Sequence, residues 1–274
     1  MCGRYVMARA IGDLVADSGA LEPDEELVLP PNWNVAPTVD VPVVLERAEP
    51  ASGTEKRREI HVARWGLVPP WAKDLSVGSR AFNARSETVT EKPTFRSAVR
   101  ARRCAVPVDG YYEWLKPEAG APKSAKKRPF YVHPVDGTPI YFAGLYEWWK
   151  DGSVPEGDPA RWLLSCTMLT GPSPDATDVE TARAEGVDQP GLDTLERLGG
   201  LHDRLPLPMD RDTLDEWLEP EKLSSAVAAG ALVDRVRRQA FRTASGWILD
   251  EVGTAVGNVR NNGPELTEPL ETLL

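Results

Sequence analysis

Three cysteines, at positions 2, 104 and 166, are too few and too scattered for a disulfide framework, and no CxxC pair offers a thiolate zinc site. A reducing, cytoplasmic compartment is expected from that usage, with no metal and no cofactor. No apolar run approaches the roughly 20 residues that a bilayer requires, and the N-terminus lacks a charged-then-apolar signal pattern. Excess positive charge is also missing. A formal net charge of −10 argues against a protein that coats nucleic acid through bulk electrostatics.

What is present is ordinary globular material: 41% hydrophobic and 27% charged residues, with 9 Trp. At 274 residues the chain can bury a sizeable core, and one domain over 1–274 is expected. Its 25 Pro and 22 Gly imply many loops and few long helices, hence a strand-rich α+β fold. Charge is distributed unevenly. Lys56-Arg57-Arg58, Arg100 to Arg103 and Lys123 to Arg128 are basic; Asp175 to Glu196 and the tail around Glu265, Glu268 and Glu271 are acidic. Taken singly, each such run reads as a solvated face.

Local patterns place the elements. A short helix is predicted over 9–17, a polar loop over 22–31, and strands over Val39–Glu46 and Glu59–Val68, the second ended by WGLVPPW. AFNARSET at 81–88 reads as a polar turn before a helix at about 91–100. CAVPVDGYYEWLK reads as strand, tight turn at Asp109-Gly110 and strand; RPFYVHPV, PIYFAGLYEWW and RWLLSCTML are three further strands. Residues 171–200 read as an acidic surface insertion with a helix at Asp193–Arg197. Helices capped at Asp210 and covering Glu221–Ala229 follow.

Cys2 carries the chemistry that stands out. Initiator methionine is usually removed ahead of a small side chain, which would leave a free amine and a thiol on one residue. That amine has a pKa of about 7.7–8.0, so part of it is neutral and nucleophilic at pH 7, and the thiol, at about 8.5, is a second nucleophile beside it. Together they suit attack on an amide carbonyl or capture of an aldehyde, first as a Schiff base and then as a thiazolidine.

Asn83, Glu113 and His202 lie in turn-like contexts and supply what such a nucleophile needs: a group that holds a carbonyl or hydroxyl, a carboxylate for proton relay, and an acid or base near neutrality. Each also has a plain structural reading, as a turn brace, a strand ion pair or a cap. His61 and His133 sit on strands without polar company and read as structural.

MCGRY at 1–5, WNVAP at 33–37, RWGLVPPWA at 64–72, FNARSET at 82–88, RRCAVPVDGYYEW at 102–114, HDRLPLPM at 202–209 and AVGNVRNNGPEL at 255–266 together resemble the SOS-response-associated peptidase (SRAP) family, whose members process abasic sites in DNA. The resemblance implies a curved, partly barrel-like antiparallel sheet flanked by short helices. It also implies a covalent thiazolidine crosslink between Cys2 and the ring-opened abasic sugar in single-stranded DNA or at a single-strand/double-strand junction. In those motifs Asn83 would orient the sugar, Glu113 would move protons at the amine, and His202 would serve as acid or base. Arg4 and Arg85 would contact phosphates, Asn34 and Pro37 would line the pocket, and Trp65 and Trp71 would stack on flanking bases. Autoproteolytic removal of a leader is a further family activity; here Met1 alone precedes Cys2, so an ordinary aminopeptidase would suffice. A monomer is expected, nucleoid-associated when bound to DNA.

The chain departs from the family pattern in a longer acidic stretch before His202, an extended Lys- and Pro-rich segment at 117–128, and Leu205 where methionine is typical. Two other functions remain open at this point: an N-terminal-cysteine amidohydrolase, since glutamine amidotransferases also begin near Met-Cys-Gly, and a non-catalytic DNA-binding module with an inert Cys2.

Overall fold

A computed structural model describes residues 2–23, 27–48, 55–118, 120–122 and 124–270. Parts of the predicted 22–31 loop and of the 117–128 segment, together with Glu271, lie outside the described residues. In chain order the elements are β1 (Tyr5–Met7), α1 (Ile11–Ser18), β2 (Asn32–Val35), β3 (Asp40–Ala48), β4 (Lys56–Trp65), β5 (Asn83–Arg85), α2 (Ala98–Ala101), β6 (Arg103–Val108), β7 (Gly110–Leu115), β8 (Arg128–Pro134), β9 (Ile140–Lys150) and β10 (Trp162–Pro172). They are followed by α3 (Ala176–Ala184), α4 (Gln189–Leu201), β11 (Arg204–Pro206), β12 (Pro208–Met209), α5 (Arg211–Leu218), α6 (Ala226–Ala244) and β13 (Trp247–Glu251).

Two sheets result. One has the order β13-β8-β7-β1-β2; in the other, β10-β4-β3-β6-β9 closes on itself because β9 also pairs with β10. Ring closure removes the edges that such long strands would otherwise expose. Strands of this ring have the continuous apolar runs of elements covered on both faces, as in Val41 to Leu45 and Cys104 to Val108. Pairing is antiparallel except where β10 meets β4 and β5, which run parallel to it. Trp217 of α5 caps the ring, its buried indole donating to the Cys104 carbonyl at 2.9 Å and the Gly144 carbonyl at 3.2 Å.

Several elements differ from the sequence reading for identifiable reasons. The helix expected at 91–100 shrinks to α2 preceded by turns, because Pro93 removes a donor and disfavours a helical Lys92. The expected helix at 221–229 is instead the 19-residue α6, started by Ser225, whose hydroxyl accepts from the Ala228 N–H. Strands β6 and β7 do form around Asp109-Gly110, but they part into different sheets. Asp109 pins that corner by accepting from the Ala8 and Arg9 N–H groups, and a Cβ on Gly110 would lie 2.6 Å from the Tyr131 ring.

Residues 171–200 are not a loose insertion. They complete β10 and form α3 and α4, with Leu192, Leu195 and Leu198 in the main core and the Thr194 hydroxyl bonded to the Trp247 carbonyl. Acidic side chains cover the outer faces. The basic runs are structural as well: Arg58 pairs with Glu46 and Asp215, Arg102 with Glu147, and buried Arg103 donates to the carbonyls of Trp217, Glu219 and Glu221 at the end of α5. Among the described residues no helix is long and apolar enough to cross a membrane.

Candidate functional site

Four segments far apart in sequence meet where the two sheets adjoin. Cys2 precedes β1, Asn83 opens β5, Glu113 lies on β7, and His202 follows the last residue of α4. The Asn83 amide donates to the Cys2 carbonyl at 2.6 Å, and its Oδ1 is buried with no hydrogen-bond partner among the described residues. His202 Nε2 stands 3.7 Å from Glu113 Oε1, and the Glu113 charge is close enough to push the Cys2 thiol up. The four residues selected from sequence motifs are therefore neighbours.

Burial sets the electrostatics. Cys2 is fully enclosed, and burial is the main cause that raises its thiol pKa, with Glu113 second. Glu113 is 5% exposed, and burial raises its carboxyl above the usual range. Burial lowers the His202 imidazole pKa, so the ring is neutral at pH 7. Its Nδ1 accepts from the Arg204 N–H at 3.0 Å, which assigns the proton to Nε2, facing Glu113. Asp203 Oδ1 is 2.9 Å from the same Nδ1 but largely exposed, and its pull is the smaller effect.

Arg4 and Asn34 have tertiary partners that the sequence does not show. The Arg4 Nη1 donates to Asn34 Oδ1 at 3.0 Å and to the Val256 carbonyl at 2.9 Å. Asn34 is 3% exposed, and its amide serves the carbonyls of Val256, Asn258 and Asn261, clamping the GNVRNN loop against β2. Asn34→Ala is expected to lower stability by about 1–3 kcal/mol, the cost of leaving buried carbonyls unserved, measured by denaturant unfolding. Pro37 is half-buried in the turn after β2. That turn ends at Thr38, the one described non-glycine residue with positive φ, and the Thr38 N–H donates to the Trp65 carbonyl at 2.7 Å.

The two tryptophans separate. Trp65 is 0% exposed, donates its indole N–H to the Phe82 carbonyl at 2.9 Å, and packs edge-on against Tyr5 and Phe82, so it is a core residue and offers no face to a base. Trp71, in the PPWA turn, is 60% exposed. Trp65→Ala is expected to cost about 3–5 kcal/mol of folding stability. Trp71→Ala should leave stability unchanged, read from parallel melts.

Arg85 is exposed and lines a groove of about 510 Å³ whose walls also include Asn83. The sequence reading overlooked the ion pair between Arg204 and Glu87 near His202, which holds the Glu87 carboxyl down to about 2, and the bond from Arg204 to the Thr170 carbonyl at 2.7 Å. Arg204 lies in the HDRLPLPM motif, but nothing local indicates that its partners come from β10 and from the turn after β5.

The model for the SOS response associated peptidase (SRAP) family matches residues 1–259. The abasic site processing protein YoqW of Bacillus subtilis is 30% identical over 270 residues, covering 98% of this chain and 99% of that one. The abasic site processing protein YedK of Escherichia coli is 28% identical, covering 98% and 100%. The abasic site processing protein HMCES of Pongo abelii is 27% identical, covering 89% and 66%. A crystal structure of a protein from Bacteroides thetaiotaomicron, 19% identical, has the same fold with a TM-score of 0.68 over 98% of this chain and 100% of that one. With its motifs in order and the family model spanning nearly its whole length, this chain belongs to the SRAP family.

Proposed function

We propose that the protein processes abasic sites by trapping the ring-opened sugar on Cys2 as a thiazolidine, in single-stranded DNA or at a single-strand/double-strand junction. The observation that carries this reading is the placement of Asn83, the Glu113 carboxyl and the neutral His202 ring around Cys2.

Removal of Met1 exposes the Cys2 amine. Glu113, whose carboxyl is held above its ordinary range by burial, takes the proton from the ammonium and leaves a neutral amine. The amine attacks C1′ of the aldehyde, and the proton released by the attacking nitrogen passes to the developing alkoxide, which the Nε2–H of His202 stabilises by a hydrogen bond. Glu113 returns its proton to the carbinolamine hydroxyl, which leaves as water and gives the protonated imine, so that the carboxylate is restored. The thiol then adds to the imine carbon, its proton passing to Glu113, and the ring closes. Aldehyde and aminothiol yield thiazolidine and one water, so no oxidant or metal enters the balance. Asn83 fixes the Cys2 carbonyl, and its unserved Oδ1 is suited to accept from a sugar hydroxyl. An abasic nucleotide has no base to unpair, which lowers the cost of presenting its sugar.

The test is incubation of the purified protein with a single-stranded oligonucleotide carrying one abasic site, followed by denaturing electrophoresis. A heat-stable shifted band is the expected result. Release of ammonia from glutamine without a band would favour an amidohydrolase, and binding without a covalent product would favour a binding module. Arg85→Ala is expected to reduce the salt slope of binding by about 0.7, the value for one single-strand phosphate contact.

We extend the proposal to autopeptidase chemistry by the same thiol. Intact mass of Cys2→Ala separates the routes: retention of Met1 indicates self-cleavage, whereas its loss indicates an aminopeptidase, which accepts alanine equally well.

A further inference from the structure

The neutral ring of His202 has two tautomers, and its Nδ1 has two neighbours that favour opposite ones. The Arg204 N–H donates to Nδ1 at 3.0 Å, which leaves the proton on Nε2; the Asp203 carboxylate, 2.9 Å from the same nitrogen, is an acceptor and draws the proton to Nδ1. Only the first tautomer presents a donor on the side of Glu113. Where the backbone of Arg204 sits therefore decides what His202 can do.

That backbone is weakly held by its own strand. β11 has three residues and ends the order of its sheet, and Pro172 and Pro206 stand in the ladder that joins it to β10 without an N–H to give. The side chain makes up the difference. The Arg204 guanidinium, its side chain 9% exposed, grips the Glu87 carboxylate with both Nη atoms, Nη2 reaching Oε2 at 2.9 Å, and Nη2 also donates to the Thr170 carbonyl at 2.7 Å. Such a fork fixes direction as well as distance. Glu87 is anchored in turn: the Ser86 hydroxyl donates to its Oε2 at 3.1 Å, and the Ser86 N–H donates to the same Thr170 carbonyl at 2.9 Å. Four residues before Glu87, Asn83 holds the Cys2 carbonyl at 2.6 Å. One ion pair thus joins the segment that places Cys2 to the residue that sets the His202 proton.

We infer that Glu87 is a positioning residue: by gripping the Arg204 side chain it holds the Arg204 N–H on His202 Nδ1, against the competing Asp203 carboxylate, and so keeps the Nε2 proton available to the developing alkoxide. The inference rests on the abasic-sugar chemistry proposed above, in which that proton is the donor. Glu87 acts through the ring and not on the sugar. Arg204 holds the Glu87 carboxyl down to about 2, so the pair stays ionised near neutrality and adds no titration of its own there.

The test combines spectroscopy and kinetics on the full-length protein. Glu87→Gln keeps the shape and removes the charge, Arg204→Lys keeps the cation and removes the fork, and a thermal melt confirms the fold of each. Long-range proton–nitrogen correlation spectra at pH 7 read the tautomer; the chain has 3 His, and His202→Ala identifies the signal. Wild type is expected to carry the His202 proton on Nε2, and both variants to shift it toward Nδ1. At saturating abasic oligonucleotide, Glu87→Gln should crosslink about 10–100-fold more slowly, the cost of a misplaced catalytic group, with the half-saturating concentration unchanged. In a His202→Ala background Glu87→Gln should slow nothing further, and adding Asp203→Ala to Glu87→Gln should return the Nε2 proton and most of the rate. A wild-type tautomer in both variants, equal slowing with and without His202, or no recovery with Asp203→Ala overturns the inference. So does a loss confined to the half-saturating concentration, which would assign the pair to strand binding. The spectra need no reaction. If wild type forms no crosslink and the variants still shift the tautomer, the positioning stands and the thiazolidine reading fails; a crosslinking wild type with unmoved spectra gives the reverse.

Discussion

Cys2→Ala is expected to form no heat-stable adduct with abasic single-stranded DNA, while its affinity for undamaged strand stays within about twofold of wild type, because the thiol lies outside the basic groove. Cys2→Ser separates the two halves of the nucleophile. It retains the amine, so it should form an imine that borohydride traps, but without the sulfur the product should not survive heating. Alanine also retains the amine, and its adduct should likewise appear only under reductive trapping. A heat-stable band from either variant without reductant would sink the ring-closure step. The fully enclosed thiol, with a pKa raised by burial and by Glu113, enters as a protonated group, which suits addition to an imine after the amine has reacted.

Glu113→Gln carries the second large effect: crosslinking is expected to slow by about 10²–10⁴-fold, the usual worth of a positioned acid–base group. The sign of its pH dependence follows from burial. Since the folded carboxyl is held above its unfolded value, the acid form is favoured in the fold, and the stability it confers is lost as pH rises through the raised pKa. Wild-type crosslinking should therefore climb through that same range as the carboxylate becomes available, and the Gln variant should lose the part of the climb that Glu113 supplies. Glutamine keeps the shape without the buried charge, so the variant should melt higher than wild type at pH 8 while being nearly inactive. A variant that melts lower and still crosslinks at the wild-type rate would remove Glu113 from the chemistry. His202 is the natural partner in this profile. With Nδ1 occupied by the Arg204 N–H, its single proton sits on the side of Glu113, and His202→Ala should slow the reaction without altering the stability gain of Glu113→Gln.

The difference between Trp65 and Trp71 illustrates where local reading ends. Both stand in RWGLVPPW, and both suit a stacking wedge by composition. Gly66 has φ +136, and a Cβ on it would lie 2.5 Å from the Gly78 carbonyl oxygen; after this close approach the chain leaves the barrel wall, so one indole turns inward and the other outward. The basic runs show the same limit. The three adjacent cations at 56–58 read as a solvated face, yet each has an acidic partner, Glu219 for Lys56, Glu59 for Arg57 and Glu46 with Asp215 for Arg58, whereas Arg80 and Lys92, unremarkable in sequence, share one groove with Arg85.

By itself the sequence determined the candidate nucleophile, the family motifs, the strand-rich class and the cap at Asp210, because each depends on residue chemistry or on backbone preferences within a few positions. Only the tertiary structure decided which charges are spent on internal partners, which tryptophan meets solvent, and that β6 and β7 part into separate sheets. Those outcomes depend on contacts between residues tens to hundreds of positions apart, where burial and Coulomb energy are settled by the closure of the barrel rather than by any local pattern.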